Sequence, residues 1–244
     1  SLKLYSGAMT QVQVTAAYKS AGVFLEFFWD FTNVNGATAI LDAVRGVAAT
    51  LKRGNGGALP TRTATGVVMV GSGTTSSSAN AGGYVELNLG AVTLGRAMTV
   101  EVVVVWNSAF NHYARLFDCG NGASDSIYLY SRVDTGELRW NVRRGSAEMV
   151  VNSGNASDLA LGVRYHIVAT VAGTAMRSYI NGVLKGTKTD GWEPEAMMRA
   201  NCYIGKGPSA TDGFLNGEVS SLKLYSGAMT QADVTAAYDA NFPF

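Results

Sequence analysis

The spacing of the apolar runs is what most constrains the fold of this chain. Residues 98–106, MTVEVVVVW, form a continuous β-branched run suited to a central strand. Similar runs follow at 115–119, 126–130, 138–142, 164–171, 177–180, 183–185, 202–204 and 217–225, with Asn181-Gly182 as a hairpin turn. Upstream, 66–70 and 84–87 also read as strands. Residues 23–31, VFLEFFWDF, are apolar on both faces, as a strand covered on both sides would be. In 40–51 Gly46 and the β-branched residues argue against a helix. Glycine-rich stretches at 54–57 and 71–83 read as loops, the second exposed and mobile. Short strands at regular spacing with almost no helix imply an all-β protein: an antiparallel β-sandwich with short helical turns.

A second feature is a repeat. Residues 1–18, SLKLYSGAMTQVQVTAAY, return at 221–238 as SLKLYSGAMTQADVTAAY, differing only at Val12/Ala232 and Gln13/Asp233, so 16 of 18 positions are identical. The offset of 220 residues is that of a domain-sized tandem repeat rather than a solenoid. Leu2-Lys3-Leu4-Tyr5 alternates as a strand should. Thr10 then caps a brief helical turn with Val14 and Tyr18 on one face. The expected division is 1–22, the tail of a preceding repeat, and 23–244, one sandwich. Any signal peptide is then expected upstream of Ser1. A closing strand is read as an edge that can be lent to a neighbour, which makes Leu2, Leu4, Tyr5, Val14 and Tyr18 candidate assembly residues and other copies of the module candidate partners. A head-to-tail contact of that kind need not close, so it can build filaments.

Composition narrows the function. Charged residues are 15% of the chain, below the roughly 25% of an average domain, while glycine is abundant at 29 residues. Together these suit an extracellular or cell-surface protein. Nineteen basic and 18 acidic residues leave a net charge of +1, with no basic field for nucleic acid and no polybasic tract for a membrane surface. No apolar run approaches the roughly 20 residues of a membrane span. Cys119 and Cys202 fit either one disulfide or two buried thiols.

Several strings resemble the laminin G-like modules of the concanavalin A-like lectin/glucanase superfamily. They are Phe28-Trp29-Asp30-Phe31, Thr99-Val100-Glu101, Arg115-Leu116-Phe117-Asp118, the run 165–171, Tyr179-Ile180-Asn181-Gly182-Val183, Tyr203-Ile204-Gly205-Lys206 and the run 214–219. The ending, with Leu222, Tyr225, Ala228, Met229, Thr230, Val234, Ala237 and Tyr238, is similar to the family's closing strand and turn. The resemblance covers residues 23–238 and implies two curved antiparallel sheets packed as a jelly roll. It leaves function open, because lectins, glycan hydrolases and adhesion modules share this fold.

Candidate sites follow. Glycoside hydrolysis needs paired carboxylates about 5–10 Å apart. The superfamily's hydrolases place them as E-x-D-x-x-E on one strand, a string this chain lacks, with Glu101 and Asp118 each standing alone in its run. His166 resembles a structural histidine of the family. A non-enzyme is expected. Asp118, Asn121 and Asp125 in DCGNGASD, with Asp212 in SATDG, are candidate calcium ligands, and the resemblance implies such an ion; turn-forming Asp and Asn are the alternative. No other cofactor is expected. Alternation puts Leu138, Trp140 and Val142 on one strand face and Arg139, Asn141 and Arg143 on the other. Arg132, Arg139 and Arg143 with Tyr128 are thus a candidate face for an acidic polysaccharide, against the alternative of an ordinary solvated face. The loops at 71–83 and 107–113 are further candidates for saccharide contacts. Asn155, in Asn155-Ala156-Ser157, is a candidate N-glycosylation site. Two roles follow: a structural or adhesive repeat module that assembles end to end, or a lectin-like carbohydrate-binding module.

Overall fold

A computed structural model describes residues 22–32, 39–90, 92–122, 124–132, 135–155 and 158–242. The expectations on residues 1–18, including Leu2, Leu4, Tyr5, Val14 and Tyr18, lie outside the described residues. Among the described residues the strands are β1 (Phe24–Asp30), β2 (Ala39–Leu41), β3 (Ala48–Gly54), β4 (Thr61–Arg62), β5 (Val67–Met69) and β6 (Gly82–Leu87). They continue as β7 (Thr93–Leu94), β8 (Met98–Trp106), β9 (Arg115–Asn121), β10 (Ser124–Ser131), β11 (Leu138–Arg144) and β12 (Ala147–Asn152). The last are β13 (Arg164–Ala172), β14 (Ala175–Ile180), β15 (Val183–Lys188), β16 (Met197–Met198), β17 (Asn201–Ile204) and β18 (Gly217–Ser226), followed by helix α1 (Gln231–Asn241).

The strands form two large antiparallel sheets, so the expected sandwich is found. The first has the order β15-β14-β13-β8-β18-β5-β4, with β1 also paired to β18. The second has the order β12-β11-β10-β9-β17-β6-β3-β2. Their inner faces share one core, from Val100, Val102, Val104 and Trp106 on β8 to Leu129 on β10 and Trp140 and Val142 on β11. Burying a side chain of this size contributes roughly 1.5–3 kcal/mol, and the alternation of these strands aims every second residue inward. The Asn181-Gly182 turn joins β14 to β15 with positive φ at both residues, the twist a two-residue hairpin requires.

Three expectations are corrected. First, the strand within 217–225 is not an edge. β18 pairs with β8 along one side, and with β5 and then β1 along the other, so it sits mid-sheet. Its register with β8 runs from Gly217↔Trp106 to Ser226↔Met98, which makes the end of the chain the middle of the sheet. Second, β1 is not uniformly covered. A bulge between Leu25 and Phe27 turns Leu25 into a small outer cluster with Tyr225, Met229 and Val234, while Phe27 and Trp29 enter the main core. Phe24 at its start is exposed. Third, the loop at 71–83, exposed along most of 72–79 as expected, is also tied at several points: Gly71 bridges to Gly82, and buried Asn80 donates from Nδ2 to the carbonyls of Thr75 (3.0 Å) and Thr211 (3.1 Å). An asparagine amide can satisfy two backbone acceptors at once, which fastens a loop that its composition alone leaves loose.

Helix α1 covers the outer face of the first sheet. Thr230 is its N-cap: its side chain accepts from the Asp233 backbone N–H, and the Asp233 side chain accepts from the Thr230 backbone N–H, a reciprocal capping box. Val234 and Ala237 are its buried face. Cys119 on β9 and Cys202 on β17 stand opposite each other in register and are joined by a disulfide.

Candidate functional site

The second sheet turns a polar, aromatic face outward. Its register places one lateral row across seven strands: Val150, Asn141, Tyr128, Asp118, Tyr203, Glu86 and Thr50. Alternation puts Arg139 and Arg143 of β11 on the same face and Trp140 in the core. The row is therefore a consequence of strand parity plus pairing, and only the parity is visible in sequence.

Arg115, at the start of β9, is its centre. The guanidinium carbon lies 4.0 Å from the ring centre of Tyr128, 4.6 Å from Tyr130 and 5.3 Å from Tyr113. Such contacts contribute about 0.5–2 kcal/mol each, the more so when the cation is withdrawn from water. Nε is 3.4 Å from Asp118 Oδ2, and Nη2 is 4.0 Å from Asp212 Oδ2. Neither contact is a hydrogen bond, and Nε and Nη1 make none elsewhere among the described residues. Burial pushes the Asp118 carboxyl up to about 7: Arg115 opposes the shift, but its charge is divided between two carboxylates, and Asp212 adds repulsion. Burial likewise raises Asp212.

Around Arg115 opens a depression of about 360 Å³. Tyr113, Tyr128, Tyr130, Arg139, Asn141, Arg143 and Glu148 line it, as do Pro208, Ser209 and Asp212. Tyr113 comes from the 107–113 loop, at a positive φ of 50° and 41% exposed, so its ring stands at the rim. The Glu148 carboxylate accepts from both Tyr128 OH and Asn141 Nδ2. Glu137 holds Arg139, at 3.0 Å from both Nε and Nη2. Arg143 Nε is buried without an acceptor among the described residues. Further along the same face, Lys206 Nζ sits 4.6 Å over Tyr84 and 4.4 Å over Tyr203, and burial lowers its pKa.

Of the candidate ligand face, Tyr128, Arg139 and Arg143 meet in this depression. Arg132 does not line it and is exposed, paired with Glu137 at 3.8 Å. The residues that the sequence reading passed over as site residues are Arg115 and Glu148, whereas Tyr113 belongs to the 107–113 loop and Asn141 to the strand face that it had named. Only pairing of β9 with β10 brings Arg115 beside Tyr128 and Tyr130.

The four candidate calcium ligands do not come together. Asp118 and Asp212 both face Arg115, whose guanidinium supplies the positive charge between them. Asn121 instead donates to the Met198 carbonyl and accepts from the Ala200 N–H, while Asp125 accepts from the Gly145 N–H. Among the described residues no three His, Cys, Asp or Glu side chains stand together as a metal site. Asn155 is exposed on the loop after β12, while Ala156 and Ser157 lie outside the described residues.

The other titratable cluster lies on the first sheet. Glu101 does not stand alone: it accepts from Lys223 Nζ (2.7 Å), Tyr225 OH (2.6 Å) and Asn241 Nδ2 (3.1 Å), with His166 Nε2 at 3.3 Å. Burial pushes Glu101 up, yet Lys223 and His166 together hold it well below the usual carboxylate range. It is fully buried beneath α1, as a structural network would be. A depression of about 340 Å³ at the end of β18 has as its charged lining Glu26 and Arg45, which pair with each other.

The family model described as the concanavalin A-like lectin/glucanases superfamily matches residues 78–235. No curated protein matches the chain. Among solved structures, domain 4 of an extracellular arabinanase from Geobacillus stearothermophilus, in complex with arabinotriose, is similar with a TM-score of 0.66 and 17% identity, over 88% of this chain and 98% of that one. Trypanosoma rangeli sialidase in complex with sialic acid matches with a TM-score of 0.59 and 17% identity. That match covers 91% of this chain but only 34% of the sialidase. A botulinum neurotoxin type C structure, described as entering cells through two ganglioside molecules, matches with a TM-score of 0.56 and 14% identity, over 88% of this chain and 51% of that one.

Proposed function

From the premise that this chain belongs to the concanavalin A-like lectin/glucanase superfamily, we propose that it is a non-enzymatic carbohydrate-binding module of an extracellular structural or adhesive protein. The observation that carries this reading is the depression around Arg115, where three tyrosine rings meet Arg115 and Arg143, each with buried guanidinium N–H groups that have no acceptor among the described residues. Aromatic rings give the C–H face of a sugar an apolar platform, and planar guanidinium donors pair with hydroxyl or carboxylate oxygens. A pocket of a few hundred Å³ with a few convergent polar groups is of the size and kind that holds small ligands. The cationic lining favours an acidic saccharide. That the arabinanase domain is seen with arabinotriose and the sialidase with sialic acid makes saccharides the first ligands to test.

The non-catalytic part is supported by the carboxylates themselves. Asp118 and Asp212 face Arg115, and Glu148 is engaged by Tyr128 and Asn141. An extracellular setting is supported by the Cys119–Cys202 disulfide, since such bonds persist in oxidising compartments.

A glycan array followed by calorimetric titration tests the reading. Binding to an acidic saccharide is expected, unchanged by a calcium chelator and weakened at least tenfold by Tyr113→Ala combined with Arg143→Ala. Absence of binding to any saccharide overturns it, and release of new reducing ends overturns the non-enzymatic part. A second reading, association between copies, is favoured by the near-identity of residues 1–18 and 221–238.

A further inference from the structure

One slot lies at the middle of the first sheet, where residues 221–226 pair with β8 on one side and β1 on the other, while the rest of 221–238 turns into helix α1 on the outer face. The contacts that hold them there are explicit. Leu222 and Leu224 enter the main core, and Tyr225, Met229 and Val234 enter the outer cluster. Lys223 and Tyr225 supply two of the bonds to buried Glu101, and the Met229 backbone N–H donates to Thr99 Oγ1 at 2.9 Å. Gly227, at φ +87°, leaves no room for a Cβ, which would lie 2.5 Å from the Gly22 carbonyl oxygen. Gln231 Nε2 donates to the Gly182 carbonyl at 2.6 Å.

Every one of these residues has an identical counterpart in residues 1–18: Leu2, Lys3, Leu4, Tyr5, Gly7, Met9, Gln11 and Val14. The two differing positions do not discriminate. Ala232 is exposed, so Val12 meets only solvent there. Asp233 is the third helical residue of the capping box, a place that glutamine, as at Gln13, also serves. We propose that residues 1–18 of one copy of this chain can replace residues 221–238 of a second copy, joining the two by segment exchange. The proposal deepens the second reading above by naming the surface and the occupant, and it does not depend on the saccharide site.

The structure also shows what biases the choice. Immediately beyond the repeat, Asn241 and Phe242 correspond to Ala21 and Gly22. Asn241 donates to Glu101 at 3.1 Å, and Phe242 stacks on Tyr238 at 5.1 Å with the Arg164 guanidinium carbon 4.9 Å from its ring centre. The incoming segment carries none of these groups. The resident segment is therefore preferred, and exchange is set by a short list of contacts outside the repeat.

The test uses the whole chain. Leu222→Asp places a charge in the core at the resident strand, Leu2→Asp does the same to the repeated copy, and the double variant spoils both. The readouts are thermal melting and mass in solution by light scattering. Leu222→Asp is expected to keep a cooperative melt while shifting to twice the chain mass or more. The double variant is expected to lose the melt. In the otherwise unaltered chain, Asn241→Ala is expected to raise the associated fraction several-fold. Equal loss of the melt in Leu222→Asp and in the double variant overturns the proposal. A folded monomer of Leu222→Asp overturns exchange between copies. Association that is indifferent to both leucine substitutions also overturns exchange, while upholding self-association through another surface. Were no species to associate, both would fall.

Discussion

Arg115 carries three tyrosine rings and two carboxylates on one guanidinium, and most of what is chemically unusual about this chain follows from that crowding. Asp118 beside it has its carboxyl pushed up to about 7, above the roughly 4 of an unfolded chain. The folded state therefore holds the proton more tightly. Its favourable contribution is complete below about pH 4 and is lost as pH rises toward 7. Asp118→Asn should remove this dependence, so the variant gains on the parent between pH 4.5 and 7.5, by about 1–3 kcal/mol in urea unfolding. Glu101 acts in the opposite sense. Its folded carboxyl is held low, so its contribution is present above pH 4 and lost in acid, a separate limb that Asp118→Asn leaves unchanged. Arg115→Lys keeps the charge but loses the planar group that spans the rings. It should cost about 1–2 kcal/mol in the same measurement. None of this is legible from residue identities, since RLFD shows an arginine three places before an aspartate and nothing about the tyrosines of the next strand.

At the scale of elements, the strands of the second half could be read almost as they stand, because period-two alternation is local information. Leu138, Trp140 and Val142 go in, and Arg139 and Arg143 go out, as alternation requires. Position within a sheet is not local, and it is there that the reading failed: a ten-residue strand near the end of a chain looks like an edge until its two partners are known. The bulge at Leu25–Phe27 was invisible for the same reason, because it is defined by register with β18. Two element-level predictions follow from observed ties. Thr230→Ala removes the helix cap and should cost about 1 kcal/mol, lowering the melting temperature by roughly 2–4 °C. Cys119→Ala with Cys202→Ala releases a closure across 83 residues of sequence and should cost about 2–4 kcal/mol in denaturant unfolding.

At the scale of the molecule, the fold class was legible because strand spacing and turn chemistry agreed along most of the chain. The anchoring of the loops was not. The 71–83 loop is fastened to its surroundings by Asn80, and its base by Asn111, whose Nδ2 donates to the Gly71 (3.0 Å) and Phe214 (2.6 Å) carbonyls from a buried position. Asn111→Ala would orphan both acceptors and is expected to cost about 1–3 kcal/mol, read in the same urea assay.

The mid-sheet place of β18 also sets a timetable. Until residues 217–226 exist, β8 and β1 each present an open strand edge and Glu101 lacks both its lysine and its tyrosine. On a ribosome adding about 5–20 residues per second, residues 221–238 emerge on the order of 10–40 s after residues 1–18. Throughout that interval a segment with the same leucines, lysine and tyrosine is already in hand, its own or a neighbour's. Which copy closes the sheet is thus first a question of order of arrival, and only afterwards one of affinity.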